Sequence, residues 1–247
     1  MHIFAGGFTC GVKRAGFDVL CHLEDTAYGV STARLNWPDL PVYVGEASWP
    51  LAELRERGVD FMYCNPPCAI FSTAGIATTR GPDAWREDPR LGCWLRAFAV
   101  FEAVRPRVFA LESVCQAYTK GREVVDKFTS AAVRLGYSAR HLMVDAKWTD
   151  VPQCRKRFFI LLHLPGCDLQ PAFDFTDPPT VGDAIASVDD PGWVRPWPAG
   201  RVGKVYVACA KKTPQGGKLK TTFDRLFPEA ARNARGQVSG RPSFLHS

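Results

Sequence analysis

Ile3-Phe-Ala-Gly-Gly-Phe-Thr-Cys-Gly-Val-Lys-Arg-Ala15, followed by Asp18-Val-Leu-Cys-His-Leu-Glu24, is the stretch on which the fold turns. The apolar pair Ile3-Phe4 predicts a strand, Gly6-Gly7 a tight turn, residues 9–15 a helix and residues 18–23 a second strand. Glycines between strand and helix let a ligand approach the backbone at the helix N-terminus, although any such turn favours glycine. The alternation continues outward from there. Residues 42–44, 59–63, 108–111, 141–144 and 157–162 predict strands, and 27–36, 51–57, 92–104 and 122–135 carry apolar residues at helical spacing. Strands and helices in that order predict an α/β fold with a doubly wound, mostly parallel sheet, whose ligands lie at the carboxyl ends of its strands.

Past Pro165 the pattern stops: Pro171, Pro178, Pro179, Pro191, Pro196 and Pro198 break it up, and Gly216-Gly217 predicts a loop. Residues 1–165 are therefore expected to form the α/β domain and residues 166–247 a smaller, irregular region. Charge divides in the same way. Residues 1–194 carry 20 basic and 23 acidic side chains, net −3, whereas 195–247 carry 11 basic against Asp224 and Glu229, net +9. A basic end on a near-neutral body fits a polyanion partner, with a solvated tail as the alternative.

With 46% hydrophobic and 23% charged residues in 247, the composition is that of a globular chain and excludes collagen-like, coiled-coil and disordered classes. The longest apolar stretch, 158–164, contains His163 and is too short to cross a bilayer, and Met1-His2-Ile3 has no basic leader, so a soluble, intracellular protein is expected. Nine cysteines without a Cys-x-x-Cys pair argue against both a disulfide framework and a zinc site. No metal is expected.

Four places carry chemistry. Glu24 ends a strand where an acid accepts hydrogen bonds from ribose hydroxyls. Asn65-Pro66-Pro67-Cys68-Ala-Ile-Phe71-Ser72 follows another strand, and the doubled proline holds the thiol on a rigid loop, as a nucleophile or as a buried structural cysteine. Glu112 ends the next strand on the same edge, where desolvation would raise its pKa and let it protonate a ring nitrogen. Gln153-Cys-Arg155-Lys-Arg157 has period-two spacing that sends Gln153, Arg155 and Arg157 to one side, or is simply a charged strand entrance.

In this order, these segments resemble the cytosine-C5 DNA methyltransferase family over residues 2–163, above all in Pro66-Pro67-Cys68 with Phe71-Ser72 and in Val151-Pro152-Gln153 with Arg155 and Arg157. Glu24-Asp25 with Asn36-Trp37-Pro38 resembles that family's second-strand segment, and Thr180-Val-Gly-Asp-Ala-Ile185 a stretch found after its core. The resemblance implies that Cys68 adds to cytosine C6, that Glu112 holds or protonates N3, and that Arg155 binds the base carbonyl. It further implies S-adenosylmethionine as methyl donor, double-stranded DNA as partner, and a target base flipped out of the stack. Phe4, Ala5, Gly6, Gly7, Glu24, Glu46, Pro66 and Leu91 would then line the cofactor site, and Pro67, Ser72, Gln153 and Arg157 would contact substrate. A bacterial or phage-infected cytoplasm is the implied setting.

The sequence also departs from that pattern. Its glycine turn is about two residues short, and Asn65, Ala69, Ser113 and Glu46 stand where glycine, glutamine, asparagine and aspartate are usual. The family's last two motifs have no counterpart before Ser247, so a second polypeptide supplying them is an expected partner. Two further readings are an RNA cytosine-C5 methyltransferase and a DNA-binding homologue that is inactive or dependent on a partner.

Overall fold

The computed structural model describes residues 1, 6–72, 81 and 83–167, and beyond these only 169, 170, 173, 179, 180, 183, 184, 212 and 225. The chain divides into two units, Met1–Thr149 with Cys154–Phe175 and Asp150–Gln153 with Thr176–Ser247.

In the first unit, α1 (Gly7–Arg14) leads to β1 (His22–Glu24), α2 (Ala27–Asn36), β2 (Val42–Val44), α3 (Leu51–Arg57) and β3 (Phe61–Cys64). It continues through α4 (Leu91–Val104), β4 (Val108–Ser113), α5 (Gln116–Thr119), α6 (Arg122–Arg134), β5 (Ser138–Asp145) and β6 (Lys156–His163). Ladders join β1 to β2 in parallel, with Leu23 opposite Tyr43, and β3 to β4 in parallel, with Cys64 opposite Leu111. The larger sheet has the order β3-β4-β6-β5, and β6 runs antiparallel to both its neighbours. The link over residues 146–155 explains that reversal: it holds a single 3-10 turn, Ala146–Thr149, where a parallel crossover needs a dozen or more residues, usually a helix.

The expected strand at Ile3-Phe4 lies outside the described residues, but Met1 marks where the chain enters the sheet. Its amino nitrogen donates to the Tyr63 carbonyl (2.9 Å) and its carbonyl accepts from the Asn65 N–H (3.3 Å), the hydrogen bonds of a parallel neighbour to β3. The strand expected from residue 18 begins only at His22. There the His22 N–H donates to the Pro41 carbonyl (2.9 Å), and Pro41, lacking an N–H, gives the ladder nothing with which to continue.

The core gathers on α4, where Trp94, Ala97, Phe101 and Val104 recur at helical spacing and are buried. Phe101 meets Phe109 of β4 and Tyr137 at ring separations of 5.1 and 4.8 Å, and the Tyr137 hydroxyl donates to the Pro106 carbonyl (2.8 Å). Along β6, Phe158, Ile160 and Leu162 are fully buried, while Phe159 and Leu161 on the other face are half-buried. The sheet is thus packed on both faces, which fixes its carboxyl edge as a rigid platform. Among the described residues, no helix is long and apolar enough to cross a membrane.

In the second unit, Thr180 and Asp183 cap each other. The Asp183 Oδ2 accepts from the Thr180 N–H (2.9 Å) and hydroxyl (2.6 Å), and the Thr180 Oγ accepts from the Asp183 N–H (3.1 Å). That reciprocal pair caps Asp183 and Ala184, which are helical.

Candidate active site

Directly after β3 the chain passes through Pro66, which is buried, and Pro67, then opens a 3-10 turn at Cys68–Ile70 closed by the Phe71 N–H on the Cys68 carbonyl (3.1 Å). What anchors this loop is Phe71. Its ring is fully buried, 5.3 Å edge-on to Trp94 and 5.5 Å from Trp85, with Gly121 against its rim. A Cβ at position 121 would strike that ring and come within 2.8 Å of the Ala117 carbonyl oxygen. Gly121→Ala is therefore expected to destabilise the fold by about 1–3 kcal/mol, the cost of overpacking, read as a lower urea midpoint with an unchanged slope.

Because β4 lies beside β3, Glu112 comes up next to the loop. Its carboxylate accepts from Arg157 Nε (2.8 Å) and from the Asn65 side-chain amide, which also donates to the Glu112 carbonyl (3.3 Å). Both charged side chains are mostly buried, at 16% exposure for Glu112 and 23% for Arg157. Burial pushes the Glu112 carboxyl above the ordinary carboxylate range, and the charges of Arg157 and Arg155 only partly offset it. Cys68 is raised as well, first by burial and then by the charge of Glu112, with Arg157 and Arg155 acting against both. Cys68, Glu112, Asn65 and Arg157 thus form one charge-coupled group at the carboxyl edge.

The other residues expected to contact substrate are placed less tightly. Arg155 is exposed, its backbone pinned between the Asp145 carboxylate (3.1 Å) and the Ala146 N–H (3.0 Å), and it reaches Glu112 and Cys68 through its field. Ser72 is half-buried, with its N–H on the Ala69 carbonyl (3.3 Å). Gln153 belongs to the second unit, where it is exposed and its N–H meets the Val151 carbonyl (2.6 Å).

Of the residues expected to line a cofactor site, Phe4 and Ala5 lie outside the described residues. Gly6 precedes α1 in the left-handed region at φ 73°, and a Cβ there would overlap the Trp37 ring, so only glycine fits. Gly7 is exposed in the first turn of α1, and Leu91 is half-buried at the start of α4. Glu24 is fully buried at the end of β1, and Glu46, exposed after β2, pairs with Arg96 of α4 at 2.7 Å. These residues come from the carboxyl ends of β1 and β2 and the N-termini of α1 and α4, the edge that binds nucleotide-like ligands in doubly wound sheets.

Over residues 2–195 the sequence matches the family described as C-5 cytosine-specific DNA methylase. The chain belongs to that family. It is 31% identical over 193 residues to the type II methyltransferase M1.HphI of Haemophilus parahaemolyticus, covering 73% of this chain and 50% of that protein. It is 29% identical over 190 residues to M.AquIA of a Picosynechococcus strain, covering 70% of this chain and 73% of that one. The chain thus spans half the length of M1.HphI. Among solved structures, Entamoeba histolytica methyltransferase EhMeth superposes with a TM-score of 0.60 at 11% identity, over 83% of this chain and 62% of that one. A putative DNA modification methyltransferase encoded within an Escherichia coli prophage gives 0.59 at 20%, over 90% and 66%. The two share its Rossmann-like methyltransferase fold.

Three residues of this family member make contacts that its motifs do not announce: Asn65, Asp25 and Arg96. Asn65 sits where the family pattern has glycine, and its amide supplies a hydrogen bond that a glycine cannot give to Glu112. Its position at the end of β3, one ladder step from Glu112, was the available signal. Asp25 stands in the Glu24-Asp25 segment that resembles the family's, but nothing local announces its contact with Arg96, which joins two elements far apart in the chain.

Proposed function

We propose that this chain transfers a methyl group from S-adenosylmethionine to C5 of cytosine in DNA, through a covalent bond between Cys68 and C6 of a flipped-out base. The observation that carries this reading is the coupling of Cys68 to Glu112 in a member of the C-5 cytosine-specific methylase family. Cytosine C5 is a weak nucleophile until a thiolate adds at C6. As the sulfur–carbon bond forms, electron density moves toward N3 and C5, and a proton held on Glu112 at N3 stabilises it. The carboxylate left behind is received by Arg157 and the Asn65 amide. Bound S-adenosylmethionine would supply the methyl group to C5, after which a base takes the C5 proton and elimination breaks the Cys68–C6 bond to restore the ring. Gly6, which leaves room for the Trp37 ring, and the acids after β1 and β2 are the residues that would hold it. Arg155, which is exposed, would meet the base carbonyl in this reading, with Pro67 and Ser72 as further substrate contacts.

Within duplex DNA the C6 atom is shielded by stacking, so an extruded base is required. The net charge of +9 over residues 195–247 supports phosphate contacts by the C-terminal region. The test is transfer of tritiated methyl from S-adenosylmethionine to duplex DNA and, separately, to transfer RNA. Label in duplex DNA at C5 of cytosine is expected. Label confined to transfer RNA would replace the substrate, and no label in either nucleic acid, with DNA still bound, would favour a binding module.

A further inference from the structure

We propose that Asn65 is a positioning residue for Glu112: its side-chain amide, locked in one orientation by the Glu112 main-chain carbonyl, holds the carboxyl in one plane and meets it only as a donor. This rests on the reading of Glu112 as the group that protonates N3 of the base. Asn65 itself has little freedom. It follows β3, where Cys64 lies opposite Leu111, so the ladder brings Asn65 level with Glu112. Its N–H donates to the Met1 carbonyl (3.3 Å), and the proline after it restricts its backbone to extended conformations.

An amide carries a donor and an acceptor side by side, and which of them faces a carboxyl decides what it does there. The Nδ2 of Asn65 meets two oxygens of Glu112, the carboxyl Oε2 and the main-chain carbonyl (3.3 Å). Turned over, Oδ1 would stand against that carbonyl, acceptor to acceptor. A main-chain carbonyl has no proton to offer in any state of the site, so the amide stays a donor whether Glu112 is charged or neutral. The other carboxyl oxygen, Oε1, accepts from Arg157 Nε (2.8 Å). With one donor on each oxygen, supplied from the strands on either side of β4, the carboxyl cannot turn about its last bond without losing both.

Such a clamp has a chemical effect. Burial favours the neutral acid, and donors to the carboxyl oppose it, so each of them makes the proton easier to give up. A general acid works best when it holds its proton no more firmly than its task requires. Arg157 and Arg155 act in the same direction by their charge, from β6 and the residue before it. On the side of β3, Cys68 and Tyr63 feel the charge of Glu112, and the Tyr63 hydroxyl, raised first by burial, stays neutral. Asn65 adds a donor without adding charge. It therefore eases release of the Glu112 proton without drawing the Cys68 thiol toward ionisation, as a further cation would.

The experiment is an NMR titration of the whole chain, isotopically labelled at its glutamate carboxyl carbons and with Glu112 assigned through Glu112→Gln, in wild type, Asn65→Leu and Asn65→Asp. Methyl transfer and thermal unfolding are measured on each. Leucine fills the same space and keeps water out but offers no donor, so the Glu112 midpoint is expected to move to higher pH. In Asn65→Asp acceptors replace the donor, and the midpoint should move further in the same direction. The kcat for methyl transfer should fall by about 10-fold or more in both, with KM for DNA little changed. Asn65→Asp, nearly identical in shape to wild type, carries the test if Asn65→Leu does not fold. A midpoint that stays in place or moves down would overturn the proposal, a downward move being the result for an amide turned the other way and accepting from the acid. So would an unchanged kcat. The midpoint is read without DNA or cofactor: if it rises in the variants while wild type transfers no methyl group, the clamp on Glu112 stands and the methyl-transfer reading falls.

Discussion

Cys68→Ser is expected to abolish the covalent complex with duplex DNA carrying 5-fluorocytosine and to lower methyl transfer by about 10⁴-fold or more. The fluorine at C5 cannot be removed as a proton is. Once Cys68 has bonded C6 and C5 has taken the methyl group, elimination therefore stalls and the sulfur–carbon bond persists through denaturation. A serine hydroxyl ionises far less readily than a thiol, and the surroundings make this worse: burial and the Glu112 charge already oppose an anion at this position. The side chain is half-buried and the exchange nearly isosteric, so the melting temperature should move little. Cys21, Cys93, Cys115 and Cys167 are half-buried too, and peptide mapping of the trapped adduct separates them from Cys68. An adduct that forms equally in Cys68→Ser would remove the residue from the mechanism.

How far this site could be read in the sequence depends on whether its parts are local. The helices were legible because Trp94, Ala97 and Phe101 repeat on one face, and the loop because two prolines before a cysteine restrict the chain whatever surrounds them. The lengths of β1 and β5 were not, since a strand ends where its partner stops donating; Pro41 curtails the first, and β6 draws the second out to Ser138–Asp145. Position in the sheet was equally hidden: nothing in residues 157–162 announces insertion between β4 and β5. Asn65 looked like a departure from a motif until the register placed its amide on Glu112. Arg96 sits among core residues of α4 and has the pattern of a solvated charge, yet it reaches Asp25 and Glu46 at once. Period-two spacing put Gln153, Arg155 and Arg157 on one side, but β6 begins only at Lys156, so of the three only Arg157 has its direction set by the ladder.

For Glu112→Gln two effects of opposite sign are expected, and together they test the coupling more sharply than a loss of activity alone. Methyl transfer should fall by at least the ~100-fold typical of a lost general acid, because an amide cannot deliver a proton to N3 as electron density arrives there. Cys68 should meanwhile become easier to ionise. In the wild type the Glu112 charge pushes the Cys68 thiol up, second only to burial, while Arg157 pulls it down. Neutralising Glu112 removes the upward push and leaves the Arg157 guanidinium, formerly 2.8 Å from that carboxylate, without its anion. The pH at which Cys68 is half-ionised must therefore move down, visible as a shift to lower pH in the rate of its alkylation by iodoacetamide, followed by mass spectrometry of the Cys68 peptide. The same linkage favours a thiolate in the state in which Glu112 still carries the proton meant for N3, because an uncharged carboxyl no longer opposes an anion at Cys68. If the alkylation profile stays in place or moves to higher pH in Glu112→Gln, the two groups are not coupled as their positions require, and Glu112 must act on the base without setting the state of Cys68.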